Sequence, residues 1–250
     1  RDYKVTGVQT CALPISETAR RLIMKAHSLA DSIEHPPSSV ISGVCSVMGE
    51  VLLEAPERAL AAVPVGREAT GRVGSTGYGL WIDMIEYWAR SRLGESGRTR
   101  SQREALENLR SLGTVVRIPL FYGLLADSLL HQEEVADARA AALEGLSIAR
   151  DTGQSGYEPY CHRMAGLSRL HSGANGRDEA IHHLETACRL SARIHDWMNH
   201  TLAATALSRL YLDDGRRREA RALLEPLSER LSEAANEVWA REVRELLSNC

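Results

Sequence analysis

A pattern recurs in this chain at a spacing of forty residues. Leu167-Ser168-Arg169-Leu170 precedes Asn175 and Arg177-Asp178-Glu179-Ala180, and Leu207-Ser208-Arg209-Leu210 precedes Gly215 and Arg217-Arg218-Glu219-Ala220 at the same offsets. A fixed period of roughly 34 to 47 residues is a signature of stacked helical hairpins. One hairpin cannot bury its own apolar face, so such units must stack into an elongated array.

Stepping back from Ala220 at intervals of 39 to 42 residues reaches Ala180, Ala138, Thr99, Ala59 and Ala19. A small side chain at that place lets two helices cross closely. Seven residues further on stand Ala26, Gly66, Leu106, Gly145, Ala187 and Leu227, small or apolar and on the same helical face. In a second ladder, His35, Gly74, Gly113, Gly153 and His195 each follow one of the first five anchors by 14 to 16 residues. Glycine there suits a left-handed helix cap, and the two histidines predict turns that close differently. Between the ladders the apolar residues step by about one helical turn, as in Leu202, Ala206, Leu210 and in Ala220, Leu223, Leu224, Leu227.

The expected fold is an all-α solenoid, a right-handed superhelix of about five and a half antiparallel helix pairs over residues 16–250. Val238, Val243, Leu246 and Leu247 predict a last amphipathic helix at about 237–248 that caps the stack. Pro64, five glycines between Gly66 and Gly79, and Arg98-Thr99-Arg100-Ser101 predict shortened or irregular helices around 64–101.

Residues 5–15 have no helical stripe and no place in either ladder; they resemble the conceptual translation of a short-read sequencing adapter. Residues 1–15 are therefore set aside as a disordered artefact. The natural sequence is expected to begin near Ser16, in mid-gene. Glu17 to Leu29 then reads as a second helix without its first, with an exposed apolar edge.

Composition excludes more than it assigns. A hydrophobic content of 44%, a charged content of 25% and a net charge of −3 are those of a soluble protein without a nucleic-acid or membrane surface. Five scattered cysteines with no CxxC suggest a reducing, cytoplasmic setting. Only two of the basic residues are lysine, a skew that fits GC-rich coding.

Leu207, Tyr211, Gly215 and Ala220 stand where the tetratricopeptide motif expects them. The stretch from Tyr157 to Gly166, the run Leu207 to Arg216 and the closing Glu242-Val243-Arg244-Glu245-Leu246-Leu247 narrow the likeness, as do His35-Pro36-Pro37-Ser38 and Gly79-Leu80-Trp81. The chain resembles the C-terminal repeat region of bacterial signalling proteins that join a class III adenylate/guanylate cyclase, or a DNA-binding domain, to a STAND-type ATPase and then to tetratricopeptide repeats. That resemblance implies a non-catalytic, regulatory protein-interaction module. Its partners would be a protein or peptide in the concave groove and ATPase or cyclase domains upstream in cis. The arm of an ATPase-type transcriptional regulator and a stand-alone tetratricopeptide adaptor are the alternatives.

No phosphate loop is present, so no catalytic residue and no cofactor is carried over. Cys161-His162 and His182-His183 with Cys188 are soft metal ligands by type, but adjacent helical residues point about 100° apart and chelate poorly. Cys188, His183 and Glu179 can be named as a nucleophile, base and acid, yet nearness in sequence is not geometry. The arginines of Arg216 to Arg221 read as a solvated face, and Trp81 and Trp88 as core. In tetratricopeptide arrays the first helices line the groove, so the resemblance places Arg169 and Arg209, with Asp127 one unit earlier, as candidate peptide-binding residues. The competing reading of these three is an ion pair between neighbouring repeats.

Overall fold

The computed structural model describes residues 16–170, 176–231 and 238–250. Among them are twelve α-helices: α1 (Ser16–Ser32), α2 (Pro36–Leu52), α3 (Pro56–Arg72), α4 (Thr76–Arg92), α5 (Arg98–Ser111), α6 (Ile118–His131), α7 (Val135–Asp151), α8 (Glu158–Leu170), α9 (Arg177–Ile194), α10 (Trp197–Asp213), α11 (Arg217–Arg230) and α12 (Val238–Ser248). Sequential helices pack antiparallel, so the fold is the expected all-α repeat array. The adapter-like residues 5–15 lie outside the described residues.

The forty-residue period is two periods of twenty. Helices α1 to α4, α7 and α10 are each 17 residues long, and three-residue turns complete most units. Left-handed residues mark these turns: Glu34, Glu54, Gly74, Gly94, Gly113, Glu133, Gly153, His195 and Gly215. The hydrogen bonding is that of the Schellman cap. After α6, for example, Glu133 N–H donates to Leu130 O (3.1 Å) and Glu134 N–H to Leu129 O (2.9 Å).

Two expectations about turns change. His195 closes its helix in the left-handed region, as the glycines do. Around His35 the left-handed residue is Glu34, and His35 instead caps the start of α2 with extended backbone.

Across the interval 64–101, α3 and α4 both run to 17 residues, and α5, which begins at its end, is shorter at 14. Pro64 sits on the exposed face of α3, where water can satisfy the carbonyl that loses its donor. Gly66 is buried at a helix crossing, and a Cβ there would stand 2.7 Å from Ile82 Cδ1. Thr99 fills the anchor place of α5, nearly buried, and its hydroxyl donates to Glu134 across 3.1 Å. The other anchors whose side chains are described, Ala59, Ala138, Ala180 and Ala220, are fully buried.

Curvature follows from which helices touch. The first helices of successive hairpins, α2, α4, α6, α8 and α10, pack against one another. The second helices, α3, α5, α7, α9 and α11, make no comparable contact and splay apart. The first helices therefore form the inner, concave layer. One apolar cluster runs from α2 to α8, and a second from α9 to α12. The second cluster also contains Leu53, which follows α2 and stands far back in the sequence. Leu22, Met24 and Leu29 on α1, and Ile33 just after it, are exposed.

A non-glycine residue in the left-handed region costs roughly 1 kcal/mol. Glu133 is exposed and its turn matches that of Gly94. Glu133→Gly is expected to raise the urea midpoint by up to about 1 kcal/mol of stability. No change, or a fall, would mean that Glu133 earns its place through its side chain.

Candidate functional site

An oblique line of polar residues crosses the inner layer. It passes the turn after α2 (Glu54), the end of α4 (Trp88, Arg92), the middle of α6 (Asp127), the middle of α8 (Tyr160, Arg163) and the start of α10 (Asn199). Each successive helix is crossed nearer its N-terminus, as the twist of stacked hairpins requires.

Asp127 is the centre. Trp88 Nε1 donates to its Oδ2 at 2.7 Å, and Arg92 Nη1 approaches both oxygens at 3.2 and 3.3 Å. Arg92 also reaches Glu54 Oε2 at 3.4 Å. Arg163 donates to Glu54 Oε1 at 2.5 Å and to Asn199 Oδ1 at 3.3 Å, and its guanidinium lies 4.8 Å from the centre of the Tyr160 ring. Gly123 makes room for that ring, since a Cβ there would overlap the Tyr160 ring.

Two carboxylates face two guanidiniums, and of the four side chains only Arg92, 24% exposed, reaches solvent to any extent. Asp127, Arg163 and Glu54 side chains are 3%, 5% and 9% exposed. Burial alone would raise the Asp127 carboxyl, but Arg92, then Arg163 and His131, outweigh it and hold it below the usual carboxylate range. Burial would likewise favour a neutral Arg163, and Glu54 chiefly reverses this. The Tyr160 phenol is pushed well up, first by burial and then by Asp127 and Glu54. Its hydroxyl has no hydrogen-bond partner although it is buried.

The three residues named from the sequence are not brought together. Asp127 is the buried centre just described. Arg169 Nε lies 2.7 Å from Glu179 Oε2, tying α8 to α9. Arg209, more than half exposed, pairs with Glu242 and ties α10 to α12. Each is thus engaged in an ion pair within the chain. Trp88, Arg92, Tyr160, Arg163 and Glu54 were not singled out as a site. Asp127 carried the usable signal: it is the lone charge between Ile118 and Leu130. A buried acid in so apolar a helix needs cationic partners.

A second constellation lies between α7, α8 and α9. A cavity of about 400 Å³ is lined by Leu143, Leu146, Arg150, His162, His182 and His183, among others. Arg150 Nη2 stands 3.4 Å from His162 Nε2, which makes that nitrogen the acceptor. His162 Nδ1–H then donates to His183 Nδ1 at 2.9 Å, and His183 Nε2 faces Glu179 at 3.9 Å. Burial, with His183 and Arg150 adding to it, pushes His162 down to about 3. Both rings are therefore neutral at pH 7.

Cys188 does not join this group. Burial pushes its thiol, like that of Cys161, up to about 12, which leaves it protonated and unreactive at neutral pH. Cys161 Sγ instead donates to Pro119 O at 3.3 Å. Among the described residues no group of three or more His, Cys, Asp or Glu is placed to hold a metal ion. No described helix is long and apolar enough to cross a membrane.

No protein-family model matches the chain. No curated protein matches it either. Among solved structures, it is similar to a Signal Transduction ATPase with Numerous Domains (STAND) protein with a tetratricopeptide repeat sensor, from Pyrococcus horikoshii. The likeness covers 94% of this chain and 36% of that one, with a TM-score of 0.53 and 16% sequence identity. The matched part is the repeat sensor and not the catalytic part. The chain spans about a third of the length of that structure.

Two expectations follow. Removing one partner of a buried charge network typically costs about 3–5 kcal/mol. Asp127→Ala should lie in that range by urea unfolding, and Asp127→Asn, which can still accept from Trp88, should cost less. Equal, small losses would place Asp127 outside the structural core. The second expectation concerns pH. The folded pKa values of His162, His183 and His200 lie below the unfolded value, so the unfolded chain takes up protons first as pH falls. Stability should therefore decline from about pH 6.5 downwards. Urea midpoints at pH 7.5 and pH 5 measure this, and His162→Asn should narrow the difference between them.

Proposed function

We propose that this chain is a non-catalytic regulatory arm that receives a protein or peptide partner on the inner layer of first helices. In this reading it lies C-terminal to a STAND-type ATPase, with a class III cyclase or a DNA-binding domain further upstream, in a bacterial cytoplasmic protein. The observation that carries the reading is the similarity of 94% of the chain to the repeat sensor of the Pyrococcus protein. The residue-level likeness to bacterial cyclase–ATPase repeats points the same way.

The mechanism is a population shift. A ligand that bridges several first helices changes their relative favourability, and domains joined to the array respond to that difference. Arg209, the most exposed of the three sequence-named residues, belongs to the rim of such a surface, and Arg169 stiffens the α8–α9 hairpin beneath it. Asp127 acts from within, by holding α4 against α6.

The natural reading frame around this segment is the direct test. A phosphate loop with a cyclase or helix-turn-helix domain upstream of residue 16 supports the reading, and an upstream stop codon replaces it with a stand-alone adaptor. In the full-length protein, deletion of α2–α11 should change ATP turnover by about 5-fold or more, the range of ordinary allosteric coupling. Unchanged turnover would overturn the regulatory role.

A further inference from the structure

The inner face of this array is already occupied by the chain itself. The turn between α2 and α3 sets Leu53 into the C-terminal apolar cluster and Glu54 onto Arg163, 109 residues away in sequence. Leu53 is 5% exposed, so this apolar contact is as closed as the ionic one. From the geometry we infer that Leu53-Glu54 is an internal plug in a site that takes an apolar–acidic segment of a partner protein. This rests on the reading that the inner face receives a protein segment, and it gives that segment its chemistry.

Charge argues for the occupant. With Glu54 in place, Glu54 and Asp127 balance Arg92 and Arg163. With Glu54 withdrawn, Arg163 keeps only the longer-range fields of Asp127 and Asp196, and a buried cation loses the carboxylate it is paired with. An incoming carboxylate restores the balance, whereas a neutral or basic segment does not. Two buried donors stand ready beside it, the Arg163 fork and the Tyr160 hydroxyl, which has no partner while Glu54 fills the site. The apolar residue before the acid takes the seat of Leu53.

The plug can leave. It sits on a turn, with Glu54 in the left-handed region at φ 53, where side-chain-bearing residues are strained. The equivalent turns after α4 and α10 carry Gly94 and Gly215. Withdrawal of Glu54 therefore needs no helix to unfold.

The test uses the 250-residue chain and a fluorescein-labelled peptide that copies residues 50–57. Glu54→Gly removes the carboxylate, leaves the turn a residue it accepts and takes away the ionic tie, so that the peptide has only the apolar hold of Leu53 to displace; Glu54→Gln is the size-matched companion. Fluorescence anisotropy should show the peptide binding at least about 10-fold more tightly to either variant than to the parent chain, which corresponds to about 1.4 kcal/mol. A peptide with glutamine in place of its central glutamate should lose that gain, as should the double variant Glu54→Gly, Arg163→Gln. Equal affinity for parent and variants, or for the two peptides, overturns the proposal. Hydrogen exchange on the parent chain guards against variants that misfold. Excess peptide should speed exchange at the amides of the α2–α3 turn, and unchanged exchange overturns the proposal as well. Peptide binding and ATP turnover are separate readouts, so a failed plug and a failed regulatory arm are told apart.

Discussion

A 17-residue helix that ends in a left-handed residue has one apolar stripe and nowhere to put it. Everything else in this structure answers that constraint. The chain is turned back every twenty residues, so each stripe meets the next. Alanine at the crossing sets the spacing between partners within a hairpin. Because the first helices also pack against each other and the second helices make no comparable contact, the stack must curve, and curvature brings distant first helices onto one inner line. The polar residues found there are a product of the packing geometry, not a separate feature placed on it.

That inner line holds two acids and two arginines, three of them almost fully buried. A buried ion pair is weak evidence of stability, because the desolvation of both partners offsets most of the attraction. It is better evidence of specificity. Asp127 accepts from Trp88 and Arg92 at the same time, which fixes how far α4 is rotated against α6. Apolar contacts alone, being non-directional, would leave that rotation looser. The histidine chain between α7, α8 and α9 does the same there, where one order of hydrogens runs from Arg150 through His162 to His183.

Much of the fold was legible in the sequence because repetition multiplies a weak signal. Ala180 and Ala220 mean little singly and a great deal forty residues apart. Where the ladder failed, local chemistry had substitutes the pattern did not show. Glu34 takes the left-handed turn residue in place of a glycine, and His35 moves into the capping place. Pro64 is harmless because it faces solvent. The site was less legible. Asp127 is legible from its place in the repeat, yet its partners come from other units at offsets set by the twist. The pairing of Glu54 with Arg163 depends on how tightly the whole array coils, which no local window of residues contains.

Arrays of stacked hairpins ordinarily melt from their ends, since each unit leans only on its neighbours. The contact between the α2–α3 turn and α8 departs from that rule. It closes a loop of more than a hundred residues, and closing so long a loop costs entropy before the contact can form. It must therefore assemble late, after the intervening hairpins have stacked. Once made, it joins the first hairpin to the fourth, so that fraying at one end is felt near the other. A molecule built as a line thus gains the cooperativity of a ring.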